Sequence, residues 1–156
     1  MNRTLRLDMP WGPTLHTVPE SMWVHLKPIL DGAYDVPYLE FAEPPRVLDI
    51  GACVGTFAVW ARQRWVSCSV DCYEPNPASF RLAEQNLRSG IESSLVNVVN
   101  AGVRGEEGRA PLYLGANNPG EATFDATMRT AGSETAMVRF DAAADLGPCD
   151  VLQIDP

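Results

Sequence analysis

A chain of 156 residues with 46% hydrophobic and 21% charged side chains has the balance of one ordinary globular domain. Its formal net charge of -8, with 12 basic residues scattered from Arg3 to Arg139, argues against a nucleic-acid partner. The amino terminus lacks the apolar stretch of a secretory signal and no apolar run reaches the length of a membrane span, so no membrane partner and a cytoplasmic address are expected.

Residues 1–18, rich in Pro, Gly and Thr, read as an irregular arm ahead of a single domain over 19–156. After Pro19, the residues Met22, Trp23, Leu26, Ile29 and Leu30 fall at helical spacing, which predicts an amphipathic helix bent or shortened by Pro28. Gly32, Pro37 and the Pro44–Pro45 pair mark a loop, in which Tyr34 and Asp35 are expected to pack. The apolar run Arg46–Ile50 then reads as a buried strand. Beyond a glycine turn the period changes: Phe57, Ala58, Ala61 and Trp65 share a helical face, so strand, turn and helix follow one another directly.

The run SCSVDCYEP, closed by Pro75, predicts a second strand. Pro77 suits the start of a second helix, with Phe80, Leu82, Ala83 and Leu87 on its apolar side and Gly90 at its end. SLVNVVNAGV reads as one continuous third strand. The stretches GRAPLYLG and TAMVRF predict strands around a polar excursion from Ala116 to Ser133, an antiparallel insertion or long loop. DAAADLG reads as a short helix and CDVLQID as another buried parallel strand. Repeated strand–helix units of this kind imply an α/β domain with a parallel sheet and flanking helices.

Cys53, Cys68, Cys72 and Cys149 form no CxxC pair, and His16 and His25 lie far upstream. Buried reduced thiols are expected, with no metal. Trp11, Trp23, Trp60 and Trp65 read as core or lid residues.

The chemistry concentrates at the first turn. In an open parallel sheet, ligands sit beyond the carboxyl ends of the strands, and Gly51 and Gly55 allow close backbone approach there. Glu74, about twenty residues beyond the turn and ending the second strand, is placed to accept ribose hydroxyls. The turn reads D-x-G-x-x-x-G rather than the G-x-G-x-x-G of a pyrophosphate cradle, which counts against a nicotinamide dehydrogenase. Asp49 inside the turn repels phosphates but suits a cofactor carrying a sulfonium and an amino group, and S-adenosylmethionine has both.

VLDIGACVGTFAVWA, followed by VDCYEPNPASFRLAEQNL and VNVVNAGV, resembles the FkbM family of S-adenosylmethionine-dependent methyltransferases, with a Rossmann-like class I fold. The resemblance covers most of residues 34–155. It implies that Asp49, Gly51, Ala52 and Gly55 shape the methionine and sulfonium pocket and that Glu74 binds the ribose. Pro75 and Asn76 would border the adenine, Asn100, Ala101 and Gly102 would close over its other side, and Asp155 would be the catalytic carboxylate beside the methyl group. The implied reaction is O-methylation of a small-molecule, sugar or lipid hydroxyl.

This sequence departs from the family pattern where Cys53 stands in place of the usual Asn, and where Pro156 follows Asp155 instead of an acidic, glycine-containing run. The class I fold therefore reads as incomplete. Either a longer protein or a homo-oligomer is expected to cover the edge of the last strand. Two other readings stand beside the first: a cofactor-binding module without catalysis, and an N-methyltransferase of the Asp-Pro-Pro-aromatic type begun by IDP.

Overall fold

The structure, a computed structural model, describes residues 4–9, 14–19, 26–35, 39–88, 93–115, 122–129 and 132–155. Its centre is a four-stranded parallel sheet made of β3 (Arg46–Ile50), β4 (Ser69–Tyr73), β5 (Val96–Val99) and β9 (Val151–Ile154). The order is β5-β4-β3-β9, with Val47 opposite both Val70 and Val151. Strands β3 and β4 are central, and Val47, Val70, Cys68 and Cys72 are essentially inaccessible to solvent, as apolar runs in a covered parallel sheet should be. Helices α2 (Thr56–Arg64) and α3 (Pro77–Arg88) provide that cover. The fold is α/β with a parallel sheet flanked by helices, in the Rossmann-like manner expected.

At the opposite end of the sheet from the glycine turn, Arg46 ties three strands together. Its guanidinium pairs with Asp71 of β4 at 3.0 Å, while its backbone exchanges hydrogen bonds with Asp150 ahead of β9.

The amino-terminal arm is more ordered than its composition predicts. Here β1 (Leu5–Asp8) and β2 (Thr14–Thr17) form an antiparallel ladder, Leu5 opposite Thr17 and Asp8 opposite Thr14. Leu15 and Thr17 are buried and Leu7 packs on the main core, contacts that no local pattern in four-residue strands reveals. Of the helix predicted after Pro19, only α1 (Lys27–Leu30), with Pro28 in its first turn, falls within the described residues; Met22, Trp23 and His25 lie outside them, as does Trp11.

The predicted third strand is in fact two. Past Val99 the chain bends, the Ala101 N–H bonding back to the Val99 carbonyl, and β6 (Gly102–Arg104) leaves for a second sheet. There β6 runs parallel to β8 (Glu134–Ala142), which pairs antiparallel with β7 (Gly108–Leu114) from Gly108 opposite Phe140 to Leu114 opposite Glu134. The two strands expected around the polar excursion thus pair antiparallel over a small core of Leu112, Val138 and Phe140, while residues 116–121 and 130–131 of the excursion itself lie outside the described residues. The short helix expected in DAAADLG is a single 3-10 turn, Ala143–Asp145, with Asp141 and Ala142 still in β8. No helix among the described residues is long and apolar enough to cross a membrane.

Candidate functional site

The carboxyl ends of β3, β4 and β9 meet around the loop 51–55. Three of its five residues take left-handed backbone: Gly51 (φ 81°), Cys53 (φ 50°) and Gly55 (φ 78°). At Gly51 this is also a matter of space, since an added Cβ would lie 2.2 Å from the Asp155 carbonyl oxygen. The Gly51 and Ala52 N–H groups both donate to the Tyr73 carbonyl, at 2.9 and 3.1 Å. Cys53 is the non-glycine in this series, a conformation that costs an L-residue about 1–2 kcal/mol and that asparagine tolerates better. The surroundings hold it: the Cys53 N–H donates to Glu74 Oε2 at 2.7 Å.

Glu74 is 6% exposed and turned toward this loop. Its other oxygen, Oε1, accepts from the Asn76 N–H at 2.7 Å, so among the described residues each oxygen has one partner and retains acceptor capacity for a second. Burial pushes its pKa up to about 7, partly offset by the bonds from Asn76 and Cys53.

Asp49, 1% exposed, is likewise pushed up to about 7, chiefly by burial and then by the charges of Glu74 and Asp155. The Ala58 N–H acts against that rise, yet among the described residues Asp49 Oδ2 has no hydrogen-bond partner. Thr56 Oγ1, at the first position of α2, has none either. Leaving such groups buried without a partner costs about 1–3 kcal/mol each, so a ligand that satisfies them binds with that advantage.

Both residues line one cavity, with Gly51, Ala52, Cys53, Tyr34 and Asp155. The cavity encloses about 50 Å³ and, counting its open mouth, about 380 Å³ of unfilled space. The enclosed volume is well below the roughly 300–1,000 Å³ of ordinary small-molecule sites. Tyr34 packs on Phe57 and Trp60 at centroid distances of 5.2 and 5.9 Å, as its expected packing role requires, but it also forms cavity wall. Burial, reinforced by Asp155 and Asp49, raises its pKa, so the hydroxyl stays protonated and able to donate.

The remaining predicted residues are distributed around this centre. Asp155 is exposed at the mouth, and its N–H donates to the Ile50 carbonyl. Asn76 is buried, its Oδ1 accepting from the Ala78 N–H at the start of α3, directly after Pro75. The Asn100 amide donates to the carbonyls of Glu74 and Pro75 at 2.8 and 3.2 Å, and Ala101 is fully buried. Gly55 and Gly102 face protein on the side where a Cβ would stand. Gly55 abuts Ala83 and Leu87 of α3, and Gly102 lies under the Phe140 ring. Neither is among the residues lining the cavity, and nor are Glu74, Pro75, Asn76, Asn100 and Ala101; of the predicted residues, Asp49, Gly51, Ala52 and Asp155 line it.

Thr56, Phe57 and Gln153 line the cavity without having been read as site residues in the sequence, where Phe57 belongs only to the packed face of a helix. The signal that could have found the first two is their place in the first helical turn after the glycine loop. Cys53, Cys68 and Cys72 are buried free thiols, and Cys149 is a partly buried one, as expected. Among the described residues no three His, Cys, Asp or Glu side chains are grouped to hold a metal.

No family model matches the chain. It is similar to two curated proteins named as methyltransferases. One is Methyltransferase sdnD of Sordaria araneosa, 26% identical over 133 residues, covering 80% of this chain and 51% of that protein. The other is Methyltransferase 1 of Beauveria bassiana, 24% identical over 115 residues, covering 71% of this chain and 43% of that protein. The chain thus spans about half the length of the curated relatives it matches.

Proposed function

We propose that this chain forms the cofactor-binding part of an S-adenosylmethionine-dependent methyltransferase of the FkbM type, acting on a hydroxyl of a small molecule, sugar or lipid. The observation that carries this reading is the unpartnered Asp49 Oδ2, buried at the glycine loop with Thr56 Oγ1 beside the same cavity. A buried carboxylate lacking a partner attracts a cation and opposes a phosphate, which matches a sulfonium cofactor and disfavours a dinucleotide. The two relatives named as methyltransferases support the general chemistry.

Bound there, the cofactor would supply a methyl carbon activated by positively charged sulfur. Asp49, with Gly51 and Ala52, would hold its amino-acid end, and the remaining acceptor capacity of Glu74 would take the ribose hydroxyls. Pro75, Asn76 and Asn100 would border the base. Asp155, at the mouth, would orient the acceptor hydroxyl and receive its proton; positioning dominates in a displacement of this kind.

Calorimetric titration with S-adenosylhomocysteine and, separately, with NAD+ tests the reading. Saturable binding of the first alone, weakened about tenfold or more by Asp49→Asn, is expected. Binding of NAD+ in preference would overturn it.

A further inference from the structure

We propose that Asn86, in helix α3 and outside the cavity wall, is a positioning residue that sets the glycine loop in its ligand-binding conformation. The functional consequence rests on the cofactor reading above; the structural one does not. Asn86 is 0% exposed, on the buried face that it shares with Ser79, Ala83 and Leu87, where an apolar side chain would be expected. Its amide is used in two directions. Toward β2, Oδ1 accepts the His16 N–H at 2.6 Å and Nδ2 donates to the His16 carbonyl at 2.8 Å. This reciprocal pair reproduces the two-bond contact between facing residues of antiparallel strands, with a side-chain amide in place of one peptide edge.

Toward the loop, Nδ2 donates to the Val54 carbonyl at 2.8 Å. Val54 stands between the two left-handed residues Cys53 and Gly55, and its carbonyl shares a peptide plane with the Gly55 N–H, which donates to the Ala52 carbonyl at 2.7 Å, so holding the carbonyl holds that plane in the middle of the turn. One consequence is that the Cys53 N–H remains on Glu74 Oε2, which keeps that carboxylate aimed at the loop. Only a primary amide of this length has two donors and an acceptor to serve both partners; a carboxylate lacks the donors and an aliphatic side chain lacks everything. The hairpin β1–β2 and the loop 51–55 are thereby held by one side chain.

The test compares amide hydrogen exchange at Cys53 and Gly55 in the wild type, Asn86→Leu and His16→Pro. The proline variant removes the β2 donor and leaves the Val54 contact in place. Asn86→Leu is expected to speed exchange at both loop amides about tenfold or more. His16→Pro should loosen the hairpin while leaving those two amides nearly unchanged. S-adenosylhomocysteine affinity should fall in parallel for Asn86→Leu and hold for His16→Pro. Unchanged loop exchange in Asn86→Leu, or equal loosening by His16→Pro, would overturn the proposal. If Asn86→Leu does not fold, Asn86→Asp is read the same way, since it keeps an acceptor for His16 and gives up the amide donors. A wild type that binds no S-adenosylhomocysteine would refute the cofactor reading alone, because the exchange rates still decide what Asn86 does.

Discussion

Gly51 shows how narrowly single residues are constrained at this site. Its backbone conformation is left-handed, and the space a side chain needs is filled by the Asp155 carbonyl. Gly51→Ala is therefore expected to cost at least about 2 kcal/mol, from the conformational penalty plus displacement of β9, and urea denaturation will measure it. Glu74 is constrained by charge. Glu74→Gln presents an amide donor group where two backbone N–H groups now donate to oxygens, so one of those bonds must break. A lower unfolding midpoint and loss of cofactor affinity of about tenfold or more are expected together. That Asp49, Gly51 and Glu74 converge at one turn was legible in the sequence, because an acid before a glycine turn and an acid ending the next parallel strand are brought together at the carboxyl edge of the sheet. Thr56 and Asn86 were not, because a polar residue in a helix reads as solvent-facing until the packing around it is known.

Among the elements, β3, β4 and β9 declared themselves as apolar runs, and the helix after each of the first two as a change of period, but β9, expected to be buried, alternates between half-buried and exposed residues because it lies at the sheet edge. The third strand was misread as continuous, since side-chain alternation carries no sign of the bend at Asn100 and Ala101 that sends β6 to another sheet. The hairpin escaped because Leu15 and Thr17 owe their burial to tertiary contacts. At the other side of the central sheet, β9 is the edge strand among the described residues, with Leu152 and Ile154 more than half exposed. An apolar unpaired edge favours strand pairing between molecules. This chain is expected to self-associate as its concentration rises, and Ile154→Lys to reduce that; sedimentation velocity on both forms is the check.

For the molecule as a whole, the buried carboxylates govern the response to pH. Asp49 and Glu74 titrate near 7 in the fold, above their ordinary values of 3.8 and 4.5, so the folded state holds more protons than the unfolded chain between those limits. Their contribution to stability is complete below about pH 4 and is lost as pH rises through 7. Thermal unfolding of the ligand-free protein should therefore occur at a lower temperature at pH 8 than at pH 5.5, and Asp49→Asn should flatten the difference. Ligand binding has the opposite sign: an ammonium group set against Asp49 and ribose hydroxyls donating to Glu74 favour the ionised carboxylates, so S-adenosylhomocysteine should bind more tightly at pH 8 than at pH 6.

A structure with S-adenosylhomocysteine bound tests the central claim most directly. The account predicts the ribose hydroxyls within about 3.2 Å of the Glu74 carboxylate, and the ligand's amino group satisfying Asp49 Oδ2. A ligand lodged away from the loop 51–55, with Glu74 still bonded only to the Cys53 and Asn76 N–H groups and Asp49 Oδ2 still unpartnered, would contradict it.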